Sequence, residues 1–182
     1  MSHVATPAMI ADAPEASQAL LTQVKKTIGS IPNMFRLVSN SPAALEGYLG
    51  LHDALGKGAL DAATRERIAL AIGQYNECGY CLAAHSYIGQ HVAKLTGNEI
   101  AANRKGFSTD AKADAAVRFA VSVARAQGNV SAGEVETVRK AGYSDGEIVE
   151  IIVHVALNTL TNYVNRALQT EIDFPVVDVA AA

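Results

Sequence analysis

Apolar residues recur at three- and four-residue spacings along nearly the whole chain, and no stretch sustains the alternation of a strand. The pattern predicts an all-α fold. A first helix spans roughly 15–29, with Ala19, Leu20, Val24 and Ile28 on one side and Gly29 at its end. Pro32 interrupts, and NMFRLVSN forms a short helix. Ser41–Pro42 reads as an N-cap followed by proline in the first helical position, and the Gly-Lys-Gly run at 56–58 closes that helix. Asp61 caps a helix over 62–76, to which Ile68, Leu70, Ala71 and Ile72 supply apolar positions. The next helix begins near Gly79 and runs to Gly97, read as its C-cap. A short piece at 98–104 precedes an alanine-rich helix at 110–127, ended by Gly128–Asn129. Ser131 with Glu134 and Ser144 with Glu147 are capping boxes that open helices at 132–141 and 145–170. With no internal linker, the expectation is one helical domain over 15–175, a flexible arm at 1–14 and a tail at 176–182.

Composition narrows the function classes. The 182 residues carry a formal net charge of −3, so there is no basic surplus to neutralise a nucleic-acid backbone. Charged residues make up 18%, below the roughly 25% of an average soluble domain. Hydrophobic residues reach 49%, a balance that predicts apolar surface buried between subunits. No apolar run approaches the roughly 18 to 20 residues needed to span a bilayer, and the N-terminus lacks the basic and apolar regions of a secretory signal. The expected compartment is the cytoplasm. There, the two cysteines are better candidates for redox chemistry or metal binding than for a structural disulfide.

The chemistry concentrates in RERIALAIGQYNECGYCLAAH, residues 65–85. Cys78 and Cys81 stand three apart at the N-terminal part of a helix, where backbone N–H groups and the macrodipole favour a thiolate. His85 follows Cys81 by four residues, one turn along the same face, and can take its proton or hold the thiolate as an ion pair. Glu66 precedes the turn near Asn76–Glu77 by about ten residues, or about 15 Å of helix. An antiparallel partner reaches that height close to His85. One hairpin can therefore assemble a carboxylate, an imidazole and a dithiol.

The spacing Glu66-X11-Cys78-X2-Cys81-X3-His85 resembles the signature of the alkyl hydroperoxidase D proteins in the carboxymuconolactone decarboxylase-like superfamily. CGYCLAAHS and LDAATRERIALAI resemble that family closely, and IPNMFRLVSNSPAALEGY and VALNTLTNYVNRALQTEIDFP do so less specifically. The resemblance implies an all-helical fold, assembly as homotrimers or homohexamers, and thiol-dependent peroxidase or disulfide reductase activity without an organic cofactor or metal. It implies that Cys81 attacks a hydroperoxide, that Cys78 resolves the product, that His85 and Glu66 relay protons, and that an external dithiol restores the pair. Tyr80 stands where the best-known peroxidase members carry a histidine just before the second cysteine. The superfamily's lactone decarboxylases generally lack the paired cysteines, so the shared fold does not imply their reaction.

Other readings stay open on the residues themselves. Cys-X2-Cys-X3-His with Glu66 could serve as zinc ligands in a metal-binding or redox module. His85 and Glu66 could act as acid and base in a non-redox lactone decarboxylase or isomerase. His154, Asn158 and Asn162, at i, i+4 and i+8 on an otherwise apolar helix, are candidate substrate-binding residues or partners across a subunit contact. Tyr163 and Asn165 adjoin them. His52 and His91 read as ordinary surface or core histidines, and His3 as part of the arm.

Overall fold

A computed structural model of the chain describes residues 2–180. Among them there are nine α-helices and no strand: α1 (Glu15–Ile28), α2 (Asn33–Val38), α3 (Pro42–Gly56), α4 (Ala62–Tyr75), α5 (Gly79–His91), α6 (Gly97–Arg104), α7 (Ala111–Arg125), α8 (Ala132–Lys140) and α9 (Asp145–Ala167). No helix among the described residues is long and apolar enough to cross a membrane.

Local chemistry sets most of the helix starts. The Ser41, Asp61, Thr96, Asp110, Ser131 and Ser144 side chains each accept a hydrogen bond from the backbone N–H three residues on. Gly29, at φ 86°, ends α1 in the left-handed region that favours glycine. The largest boundary difference from the sequence reading is at the end of α5; α9 also stops earlier than expected, at Ala167 rather than 170. The chain leaves α5 at His91, and Gly97 opens α6 behind the Thr96 cap instead of closing α5. Leu95 explains the early exit: its N–H bonds to the Gly89 carbonyl at 2.8 Å and its side chain is buried against that glycine.

Helix α4 is the central element, packed by α5, α6, α7 and α9. That position accounts for its weak amphipathicity: Ile68 through Gly73 are all buried, because neighbours surround this apolar stretch on every side. Ile68 and Ile72 join Phe119, Ala120 and Val123 of α7 and Ile148, Ile151 and Val155 of α9 in the largest core cluster. Residues 2–14 lie along the helices, with His3 bonded through its N–H to the Leu168 carbonyl and Ala13 buried. Met1, Ala181 and Ala182, the ends of the expected arm and tail, lie outside the described residues. After α9 the chain runs without regular structure past α5. There Gln74 donates to the Val179 carbonyl at 2.9 Å and Arg104 to the Asp178 carbonyl at 2.5 Å.

Candidate active site

The α4–α5 hairpin turns through Asn76 and Glu77, and Cys78 is the N-cap of α5. The Cys78 N–H donates to the Gly73 carbonyl at 2.9 Å, while Cys78 Sγ accepts from the Cys81 N–H at 3.3 Å. The two sulfurs are joined as a disulfide, with Cα atoms 5.3 Å apart. Both residues are almost sealed from solvent, at 0% and 3% exposure. An apolar and aromatic cluster surrounds them: Met34, Phe35, Tyr48, Tyr80, Ile172 and Phe174.

One turn further along α5, His85 Nδ1 and Glu66 Oε2 are 2.8 Å apart. The pair is partly buried, the side chains being 24% and 17% exposed. Burial works against the charged imidazole, but the adjacent carboxylate and its hydrogen bond prevail, so the His85 pKa is raised above its ordinary value. Tyr48 belongs to the same surroundings. Its hydroxyl is held well above the usual phenol range by burial, with Glu66 and Asp53 adding to the effect.

Tyr80 fastens the cover over the dithiol. Its hydroxyl donates to Asp173 Oδ1 at 2.9 Å and accepts from the Met34 N–H at 3.2 Å. Asp173 Oδ2 receives the Asn33 N–H at 2.8 Å, and the Phe174 ring stands edge-on to Tyr80. Ile172 and Val179 lie against Gly79, where an added Cβ would come within 3.7 and 3.5 Å of them.

The three polar residues foreseen on α9 separate. Asn162 Oδ1 accepts from Asn76 Nδ2 at 2.9 Å, so it holds the turn that leads into the dithiol. Asn158 Nδ2 donates to the His154 carbonyl, one turn back on its own helix, at 2.8 Å. His154 is buried and its Nε2 has no partner among the described residues. Burial, with Arg65 next and opposed by Glu150, lowers its pKa to about 4 and keeps it neutral. Among the described residues none of the three makes a hydrogen bond to Cys78, Cys81, His85 or Glu66.

Three other contacts carry more than their sequence signal indicated. Asn165 Nδ2 donates to Cys81 Sγ at 3.4 Å, Arg166 Nη1 to the Asn76 carbonyl at 2.6 Å, and Asp173 secures Tyr80. The only sequence hint for the first two is their helical phase with Asn162. As for metal, no group of three or more His, Cys, Asp and Glu side chains among the described residues is arranged to hold an ion.

Residues 42–126, α3 through α7, match the profile of the Carboxymuconolactone decarboxylase family. Among solved structures, the chain is similar to a peroxidase-related protein with an alkylhydroperoxidase AhpD core from Ralstonia eutropha. The two share 26% identity at a TM-score of 0.84 over 94% of this chain and 92% of that one. A peroxidase-related protein from a Silicibacter species gives 24% identity and a TM-score of 0.80 over 93% and 91%. A cysteine-to-alanine variant of the debrominase Bmp8, bound to 2,3,4-tribromopyrrole, gives 19% and 0.77 over 95% and 94%. No protein of curated function matches the chain. Together, the profile match across the dithiol hairpin and the likeness to the AhpD core over nearly the whole chain support an alkyl hydroperoxidase D-like protein of the carboxymuconolactone decarboxylase superfamily.

Proposed function

We propose that the chain is a thiol-dependent peroxidase that reduces hydroperoxides through a Cys78/Cys81 dithiol–disulfide cycle. The observation that carries this reading is the bonded cysteine pair at the N-terminus of α5, one helical turn from the His85–Glu66 hydrogen bond. In the reduced protein, the α5 N-terminus and a protonated His85 favour the Cys81 thiolate. The thiolate attacks the terminal oxygen of the hydroperoxide, the O–O bond breaks, and Cys81 becomes a sulfenic acid. The departing alkoxide takes a proton from His85, whose charge Glu66 balances at Nδ1. The Cys78 thiol then displaces the sulfenic hydroxyl, forming the disulfide and releasing water. An external dithiol returns two electrons by thiol–disulfide exchange.

The test is mass spectrometry of the reduced protein after one equivalent of hydroperoxide, together with turnover of Cys81→Ser. Rapid formation of the Cys78–Cys81 bond and loss of turnover are expected. Activity that survives thiol alkylation would instead assign acid–base chemistry to His85 and Glu66.

The aromatic lining supports a second reading, reductive removal of halogen from an aromatic ring, as the debrominase name suggests for that neighbour. Here the dithiol supplies two electrons, carbon–halogen becomes carbon–hydrogen, and halide and the disulfide form. Halide release from a bromopyrrole, measured beside hydroperoxide turnover, separates the two.

The expected setting is cytoplasmic, where a dithiol reductant keeps the pair cycling. Assembly into homotrimers or homohexamers is supported by apolar surface left on α3 and α9.

A further inference from the structure

We infer that Asn165 is a further catalytic residue, whose side-chain amide donates to the sulfur of Cys81 and holds it as the reacting thiolate. The inference rests on the reading in which Cys81 is the attacking thiol.

Nδ2 of Asn165 lies 3.4 Å from Cys81 Sγ, and both residues are buried, at 3% exposure each. The amide has no competing use. Its Oδ1 is buried without a hydrogen-bond partner among the described residues, so the sulfur is the only side-chain contact that satisfies any part of the group. A buried amide half-satisfied in this way costs free energy, which packing alone would avoid by placing leucine there. A polar group kept at such a cost is explained by what it does to its single partner. A neutral thiol accepts a hydrogen bond weakly, whereas a thiolate accepts one strongly, so the amide favours the ionised form.

The contact also distinguishes the two cysteines. Cys78 Sγ receives the Cys81 backbone N–H, while Cys81 Sγ receives the only side-chain donor to either sulfur among the described residues. Neighbours on α9 keep the donor in place. Asn162 and Arg166 both bind Asn76, two residues before Cys78, and so fix the height of α9 against the turn.

The experiment follows iodoacetamide alkylation against pH in the full chain, in a Cys78→Ser background where Cys81 is the only thiol. Serine is a good N-cap and preserves that function of Cys78. Asn165→Leu should raise the alkylation midpoint by about one pH unit, an approximately tenfold smaller thiolate fraction at neutral pH, without lowering the melting temperature. Asn165→Asp should raise it further, because a carboxylate repels the thiolate. An unmoved midpoint with a lower melting temperature would assign Asn165 to packing and overturn the inference.

Alkylation uses no peroxide, so this result stands apart from the peroxidase reading, which fails on its own if Cys81→Ser retains turnover. A measurement on the unsubstituted, reduced chain covers the case in which a variant does not fold. The Asn165 side-chain amide resonance should shift in step with Cys81 titration, and a resonance that stays fixed overturns the inference.

Discussion

At His85, burial favours the neutral ring and Glu66 favours the charged one, and the carboxylate prevails. Because the folded pKa lies above its ordinary value of 6.5, the stability this pair contributes is complete below that pH and is lost as pH rises through the raised value. His154 has the opposite sign. Its folded pKa of about 4 lies below the ordinary 6.5, so the unfolded chain takes up the proton first and stability falls as pH drops from 6.5 towards 4. The steepest part of that fall is about 1.4 kcal/mol per pH unit. Urea unfolding across pH should show these two contributions cresting together near 6.5. His154→Leu should flatten the acid side, and Glu66→Gln the alkaline side. Glu66→Gln should also slow the peroxide reaction about 10- to 100-fold, since His85 loses the group that keeps it charged. A stopped-flow pH profile in which the imidazole limb moves to lower pH would establish that link.

At the scale of elements, the α4–α5 hairpin was legible in advance because its two helices adjoin in sequence and share one turn. Equal distances either side of that turn place Glu66 opposite His85, and the 2.8 Å hydrogen bond follows from this register. The contribution of α9 was only partly legible. Helical phase marked His154, Asn158 and Asn162 as one face, but not which end of a 23-residue helix meets the dithiol. Asn162 reaches the turn before the dithiol and Asn165 reaches the Cys81 sulfur, across separations of 86 and 84 residues, whereas His154 is about 12 Å higher along the axis than Asn162. Asp173 was not legible at all, since an irregular segment carries no periodic signal. Tyr80 makes the contact with Asp173 consequential: replacing the hydroxyl strands the Met34 N–H and removes a donor from the carboxylate. Tyr80→Phe should therefore cost about 1–3 kcal/mol in thermal unfolding. It should also hasten reduction of the disulfide by a small dithiol several-fold, as the segment over Gly79 loosens. Equal reduction rates in both proteins would mean that this segment does not limit access.

Across the whole molecule, the low charge content finds a structural counterpart. Of the fifteen residues of α3, most of them apolar, only Leu45 is buried. Along α9, Val149, Ile152, Leu160 and Tyr163 are exposed at i, i+3, i+11 and i+14, a single stripe. Burying such a stripe in a homo-oligomer would recover roughly 25 cal/mol per Å² of apolar area. Leu160→Glu with Tyr163→Glu should thus lower the molar mass seen by light scattering, with the helical circular dichroism unchanged. A mass unaffected by both charges would mean that this stripe is not an interface. The arrangement of the site along the chain has another consequence. The groups proposed to exchange protons and electrons occupy one short stretch, 66–85, while the surfaces that enclose them come from 34–48 and 172–179. Reactivity and admission are thus encoded in separable parts of the sequence. Exchanging the last dozen residues between relatives would be a route to altered substrate preference with the reacting hairpin left intact.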